Sequence, residues 1–567
     1  MADTFSRPWL SQYADIVKNP MSYEEKPLFS ILDAAAESSP KRTAIRFKNT
    51  HISYQRLRTL SETVAGGLAA SGYGPGDRIA IMLPNLPQTI IAYLGVLKAG
   101  CTVVMVNPLY MDTELNHILS DASIKALFIL DRLYVKHKTL LDQHNLNNIY
   151  VTGIADGLSF PLNLIYPFKA RKEGTHPYIP YDWKHVQPFS LLTSGKTPLS
   201  VSTIDPKRDL AAIQYTGGTT GLAKGVMLSH FNLLTNVAQC RAMLHSIGEK
   251  PEVFLGLLPY FHIYGLTVCL NYAMACRATL VPVPRFIPLE TLKAIHKTKP
   301  TVFPGAPSVY IALMQQKDFE RYDVSSITYC VSGSAPMPVE LMERFEKVAN
   351  AKILEGYGLS EASPVTHLNP ISGKRKAGSI GLPFPDTDAR IVDLETGTQD
   401  MPIGQPGELI VKGPQVMQGY LNQPEETNDA LRDGWLYTGD IAVMDDEGYF
   451  FIVDRKKDII LAGGFNVYPR EVEEALYEYP DVAEAVVFGA PHHTRGEIVK
   501  AVIVPREGTS PQKSDVLLFL RKRLAHYKVP KSVEIRDTLP KSMVGKVLRR
   551  VLREEEKERI DAQHTSA

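Results

Sequence analysis

The sequence lacks any run of ~18 apolar residues, so nothing in it reads as a bilayer-spanning helix. The opening stretch MADTFSRPWLSQYADIVKNP carries no apolar core of signal-peptide length, which argues against a secretory leader. Cysteine is scarce, with five residues at 101, 240, 269, 276 and 330 and no CxxC spacing. That excludes a disulfide framework or a structural zinc site and fits a reducing compartment. Charge of one sign is absent too: 62 Lys and Arg against 61 Asp and Glu leave a net charge of +1. No global field favours nucleic acid. Neither a repeat of 20–50 residues nor a low-complexity tract is visible. With 44% apolar and 22% charged residues in a chain of 567, disorder and collagen-like architecture are ruled out. The length suits two unequal domains or three to four smaller ones.

What is present reads as α/β. Ile79–Leu83 is a short apolar run, Pro87 opens a helical segment to Lys98, Gly100 can cap it, and Thr102–Val106 is a second buried strand. This is a βαβ unit with strands buried on both faces of a parallel sheet. Similar runs at 126–130, 279–283 and 327–331 extend the pattern to a large doubly wound domain. Residues 153–190 break it. They are rich in proline, with a basic Lys169-Ala-Arg-Lys172, and predict an irregular surface insertion. Its apolar part, Leu158 to Phe168, followed by basic residues, could touch a membrane surface; a loop packed on its own domain is the plainer reading. From about 385 the turns become denser, and 389–392 and 408–412 alternate like strands of a small β subdomain. A last α+β unit begins near 455. It has a helix from Pro469 to Glu478, strands at 482–487 and 500–504, and a charged closing helix from Val547 to Ile560.

The most informative segment is Tyr215-Thr-Gly-Gly-Thr-Thr-Gly-Leu-Ala-Lys-Gly-Val226. Gly217, Gly218, Gly221 and Gly225 permit close backbone approach, Thr216, Thr219 and Thr220 bring hydroxyls, and Lys224 brings a charge. Such a loop can wrap phosphate oxygens. It is not a Walker loop, since the lysine precedes Gly225 rather than a Ser or Thr. A plain flexible turn does not account for seven Gly or Thr residues among the ten from 216 to 225.

This loop resembles the phosphate-binding signature of the AMP-forming adenylating enzymes. Other segments match that family in order: Pro259-Tyr-Phe-His-Ile-Tyr-Gly265, Gly333-Ser-Ala335, Gly356-Tyr-Gly-Leu-Ser-Glu361, Tyr437-Thr-Gly-Asp440, Asp454-Arg-Lys-Lys-Asp458, Gly463-Gly-Phe-Asn-Val-Tyr-Pro469 and Pro540-Lys-Ser-Met-Val-Gly-Lys546. The likeness covers nearly the whole chain. The Pro-Trp-Leu at 8–10 and the insertion after 157 look most like bacterial long-chain fatty-acid–CoA ligases. Ser360 stands where the family usually has Thr; the hydroxyl is retained.

The resemblance implies ATP and coenzyme A as substrates beside a fatty acid, with Mg²⁺ on the triphosphate held by Glu361 and Thr216. A hard ion takes one or two carboxylates plus phosphate oxygens; the plain alternative for Glu361 is a carboxylate at a helix N-terminus. Asp440 and Arg455 would meet the ribose, against an Asx-turn and a surface ion pair as their alternatives. His262 would lie beside the reacting carboxylate or thioester, or be a core histidine. Gly333, Ser334, Ala335, Gly356, Tyr357, Gly358 and Ser360 would form the adenine and phosphate side, with Tyr357 a stacking face or a core tyrosine. Lys546 would bridge the carboxylate and the α-phosphate. Gly463 and Gly464 would suit a narrow pantetheine channel. Lys541, Arg549 and Arg550 read as solvated charge or CoA-phosphate contacts. The resemblance places an N-terminal domain over 1–455 and a smaller mobile C-terminal domain over 458–567, hinged near Lys457. It implies a cytoplasmic ligase that forms acyl-AMP and then acyl-CoA. Peripheral membrane contact and a homodimer are left open, as are an aryl or medium-chain acid substrate and an acyl-AMP-binding protein without turnover.

Overall fold

The computed structural model describes residues 6–194, 203–216, 223–335, 337–462, 465–492, 496–542 and 547–565. The chain forms two compact units, with Trp9–Asp388 and Lys412–Leu436 in the larger, and Ala389–Val411 and Tyr437–Ala567 in the smaller.

The larger unit contains an eight-stranded and a nine-stranded sheet. In the first, Arg78–Met82 and Thr102–Met105 pair in parallel, joined by the helix Pro87–Lys98. Pro87 fits the first helical position because no intrahelical N–H is needed there. Every residue of that helix is buried, as expected of a helix that is apolar nearly all round. Its one charge, Lys98, sits 2.6 Å from Asp33. Gly100 (φ 78°) turns the chain into the next strand. Ala126–Leu130, Asn148–Thr152 and Val186–Pro188 continue the parallel order on one side. On the other, Leu210–Thr216 joins Thr102–Met105 in parallel and then pairs antiparallel with Lys224–Ser229. The core here is aliphatic, with Val104, Leu127, Ile129 and Ile213 buried together. The second sheet is centred on the parallel strands Val253–Gly256, Val302–Gly305, Tyr329–Ser332 and Lys352–Gly358. The expected doubly wound architecture is present.

Residues 153–190 are more regular than their prolines suggest. They contain a short 3₁₀ turn, the helix Leu162–Lys172 and the edge strand Val186–Pro188. Pro161 takes the N-cap, where no helical N–H is lost, and Pro188 lies on an edge strand, where a missing donor is tolerated.

Asp388–Val392, Gly407–Lys412, Trp435–Met444 and Phe450–Arg455, which apart from a few end residues belong to the smaller unit, make one sheet. A second sheet is built on the long hairpin Val482–His492 and Gly496–Pro505. These strands outrun the expected 482–487 and 500–504 because Gly489 does not end the first one: a Cβ there would meet the Glu497 carboxylate at 2.5 Å, so glycine lets the hairpin continue. The helices Pro469–Tyr477 and Lys513–Arg521 pack Val472, Leu476, Val516 and Leu520 against Val487 and Ile503.

Candidate active site

The Gly/Thr segment is the connection of an antiparallel hairpin. Thr216 ends one strand directly opposite Lys224, which begins the next; Gly217, Gly218, Thr219, Thr220 and Gly221 lie outside the described residues. A two-residue strand, Gly419–Tyr420, adds to the far side of the hairpin with Tyr420 opposite Val226. The Lys224 ammonium pairs with the Glu426 carboxylate and lies 5.1 Å from the centre of the Tyr420 ring. The Tyr420 hydroxyl donates to Glu361 Oε1 at 2.7 Å. Burial, and next the adjacent Glu361 charge, hold the Tyr420 pKa far above its ordinary value, so this hydroxyl stays a donor. Thr216, Lys224, Tyr420, Glu426 and Glu361 thus form one connected set.

Glu361 sits in the short 3₁₀ turn Ser360–Ala362, half-buried like Ser360. The turn is held from three sides. The Met417 N–H donates to the Glu361 carbonyl at 2.8 Å. The Ser363 hydroxyl donates to the Gln415 carbonyl at 2.8 Å, and the Thr267 hydroxyl to the Ser363 carbonyl at 2.7 Å. Just before it, a Cβ on Gly358 would lie 2.2 Å from the Pro364 carbonyl oxygen, so only glycine fits. Tyr357 is half-buried and meets His367 edge-on at 6.0 Å. Burial pushes the His367 pKa down to about 3, so that ring is neutral.

The His262 segment is fixed by a buried amide. Asn85 donates to the carbonyls of Gly256 and Leu258 at 2.9 and 2.8 Å and accepts the Tyr260 N–H at 2.9 Å. Gln214, on the strand that leads into the Gly/Thr loop, donates to the Phe261 carbonyl at 2.6 Å. His262 is half-buried, and its Nδ1 accepts the Tyr264 N–H at 3.2 Å, which leaves Nε2 as the N–H end. The Tyr264 hydroxyl donates to the Val331 carbonyl at 2.8 Å, beside Gly333. A Cβ on Gly333 would come within 3.3 Å of the Tyr264 ring and 3.5 Å of the Gly356 carbonyl. Three of the sequence motifs therefore converge at Gly333. Ser334 (φ 71°) and Ala335 follow it and are exposed.

In the smaller unit, Asp440 and Arg455 face each other across an antiparallel pair, with Arg455 Nε 3.1 Å from Asp440 Oδ1. Asp440 is buried and Arg455 about half-exposed. Glu408 accepts the Gly439 N–H at 3.1 Å and pairs with Lys456 at 2.9 Å. Lys457 is exposed in the turn Lys456–Asp458. Gly463, Gly464 and Lys546 lie outside the described residues.

The AMP-binding enzyme pattern matches residues 32–421, and the AMP-binding enzyme C-terminal domain matches residues 471–546. The chain belongs to the AMP-binding, adenylate-forming enzymes. A long-chain-fatty-acid–CoA ligase of Bacillus subtilis (strain 168) is 49% identical over 97% of this chain and 98% of its own. One from Escherichia coli O6:H1 is 38% identical over 98% and 99%. Among solved structures, ATP-bound MatB from Rhodopseudomonas palustris is 31% identical with a TM-score of 0.81, covering 93% of this chain and 98% of that one.

Within this adenylate-forming enzyme, Tyr420, Glu426, Asn85 and Gln214 are site-building residues that sequence reasoning missed. The signal for Tyr420 was the Gly-Tyr pair after a turn-rich stretch; a Cβ on Gly419 (φ 145°) would lie 2.7 Å from Thr427. Arg549 corrects an expectation. It is not solvated charge: its guanidinium is held by both Glu473 oxygens at 2.7 Å and lies 3.3 Å from Asp458. The reason is the closing helix Arg549–Thr565, whose first turn points Arg549 at carboxylates of the Pro469–Tyr477 helix and of the Lys456–Asp458 turn. Lys541 pairs with Glu484 at 2.6 Å and Arg550 with Glu554 at 3.5 Å. Among the described residues no three His, Cys, Asp or Glu side chains group as a closed metal site, and no helix is long and apolar enough to cross a membrane.

Proposed function

We propose that this enzyme activates long-chain fatty acids to acyl-CoA. The fatty carboxylate attacks the α-phosphorus of ATP and pyrophosphate leaves, giving acyl-AMP. The CoA thiol then attacks the acyl carbon, and AMP leaves with the bond electrons. The observation that carries the reading is the 49% identity, end to end, with a long-chain-fatty-acid–CoA ligase.

The residues fit the chemistry. Thr216, Lys224 and the loop between them cradle the β- and γ-phosphates. Glu361 offers a carboxylate with one oxygen already oriented by Tyr420, and Thr216 a hydroxyl. That sparse set suits Mg²⁺, which draws most of its ligands from phosphate and water and neutralises the triphosphate when bound. Ser360 keeps the hydroxyl on the phosphate side. Gly333, Ser334, Ala335, Gly356, Tyr357 and Gly358 receive the adenine, and Asp440 with Arg455 the ribose. His262 points an N–H toward the acyl group. Lys546 brings the cation that offsets charge at the α-phosphate, and Gly463 and Gly464 line the pantetheine path. The domains 1–455 and 458–567 move about Lys457 between the two steps, since a hinge needs only a few residues that absorb φ/ψ change. The protein works in the cytoplasm on fatty acid, ATP and CoA, meets the membrane from its inner face, and needs no nucleic acid. A homodimer is compatible with this reading.

The test is pyrophosphate release with saturated acids of increasing length, beside acetate and coumarate. We expect kcat/KM to rise with chain length to a maximum at roughly C10 to C18, because each buried CH₂ adds up to ~0.8 kcal/mol. Equal or better turnover of acetate or coumarate would replace this reading with that of a short-chain or aryl-acid ligase.

A further inference from the structure

The helix Leu162–Lys172 is inverted relative to an ordinary surface helix. Its outward residues Leu164, Ile165 and Phe168 are 58, 55 and 71% exposed, and Phe160 just before it is 77% exposed. At about 100° per residue, 164, 165 and 168 share one sector of roughly 100°, which also takes in Pro161 and Lys172. The buried Ala170 and the half-buried Asn163, Tyr166 and Pro167 lie on the opposite side. Surface helices normally bury the apolar face and show the polar one.

The exposure is fixed by the fold. Asn49 donates to the Ser159 carbonyl at 2.9 Å and Thr50 shares a hydroxyl bond with Ser159 at 3.0 Å, tying down the entry. Arg132 donates to the Thr175 carbonyl at 2.8 Å, tying down the exit. The last turn carries Lys169, Arg171 and Lys172. Of these, Lys169 stands 3.8 Å from Glu173, a loose pairing.

We propose that this face docks on an anionic phospholipid bilayer, the helix lying in the interface with Phe160, Leu164, Ile165 and Phe168 below the headgroups. Lys169, Arg171 and Lys172 then reach lipid phosphates, as basic side chains at the end of an interfacial helix do. Farther along the same segment, Tyr178 (87% exposed) and Trp183 (63%) are of the residue types that favour a membrane–water boundary. Charge complementarity selects the bilayer over a second copy of the chain. In an isologous contact the basic turn faces either its own mate or the apolar Phe160 end, and neither supplies counter-charge. The inference deepens the membrane contact proposed above but does not depend on which acid is activated.

The experiment is co-sedimentation of the full-length protein with vesicles of phosphatidylcholine alone and of phosphatidylcholine with a quarter phosphatidylglycerol, at low and physiological salt. Two triple variants are compared, Phe160→Ser/Leu164→Ser/Phe168→Ser and Lys169→Gln/Arg171→Gln/Lys172→Gln. Melting temperature and turnover of a dissolved fatty acid are read alongside. We expect binding to the anionic vesicles, weakened by salt, and a fall of at least about tenfold in either variant with melting and turnover unchanged. Vesicle binding that is absent in the parent, or equal in all three proteins, overturns the proposal. So does loss of a dimer in the serine variant by sedimentation equilibrium, which would make the face an interface between copies. Failure to turn over any fatty acid would count against the proposed activity and leave the vesicle result standing.

Discussion

Two cations in this molecule are both ion-paired and differ in the carboxylates that hold them. Lys224, in the larger unit, pairs with Glu426, and the two side chains are 24 and 52% exposed. Arg549, in the smaller unit, is about as exposed as Lys224, at 23%, but it is gripped by both oxygens of Glu473 and approached by Asp458, carboxylates that are each only 13% exposed. A solvent-reached ion pair contributes little and is readily exchanged for a better anion. A buried, bidentate one is costly to break, because each partner is left as an unpaired charge. The first arrangement suits a residue that must let go of its carboxylate to hold a phosphate. The second suits a residue that fixes a helix for the life of the fold.

The largest effect expected from this contrast is on stability. Arg549→Ala strands Glu473 without its guanidinium, while Asp458 keeps Arg553 at 3.4 Å, and should cost up to about 3–5 kcal/mol. Denaturant unfolding followed in the smaller unit, for example through a fluorophore placed on Lys513–Arg521, measures it. An unmoved midpoint accompanied by a raised KM for CoA would instead restore Arg549 to the CoA-contact role that its basic neighbourhood suggested.

Lys224→Ala should leave stability nearly untouched and act on ATP. Losing one charge-assisted phosphate contact of about 1.5–3 kcal/mol lowers kcat/KM for ATP by about 10- to 100-fold. Steady-state kinetics with ATP varied at saturating fatty acid and CoA show it. Unchanged ATP kinetics would mean that the Gly/Thr hairpin does not hold the phosphates.

The same contrast marks how far the sequence could be read. The βαβ unit around Pro87–Lys98 was legible because its signals are local: apolar runs of strand length, a proline at the helix start and a glycine after its end. The Gly/Thr loop was legible because such composition has few structural uses. Tyr420 was not. Its role arises when a two-residue strand lands beside Lys224–Ser229, and no periodicity announces so short a pairing. Arg549 stood in a basic run that reads as solvated charge, and the carboxylates that grip it, on Glu473 and Asp458, lie far away in sequence. The helix Leu162–Lys172 was hidden by its prolines, which are turn signals in most contexts but here occupy a cap and one interior position.

The smallest predicted effect is the most specific to the Lys224 arrangement. If Glu426 holds the Lys224 ammonium only until phosphate arrives, then Glu426 competes with ATP. Glu426→Gln keeps the shape and removes the competing charge. An exposed pair of this kind is worth roughly 0.2–1 kcal/mol, so KM for ATP should fall by at most about fivefold with kcat unmoved. Direction matters more than size: a rise in KM would make Glu426 part of the binding machinery. The double variant sharpens the comparison. With Lys224→Ala already present, Glu426→Gln should change KM no further, because residues that act through one another are not additive. Stability should not move in either single variant, in contrast to Arg549→Ala. A benefit of Glu426→Gln that persisted without Lys224 would mean the carboxylate repels the triphosphate directly rather than by occupying the lysine.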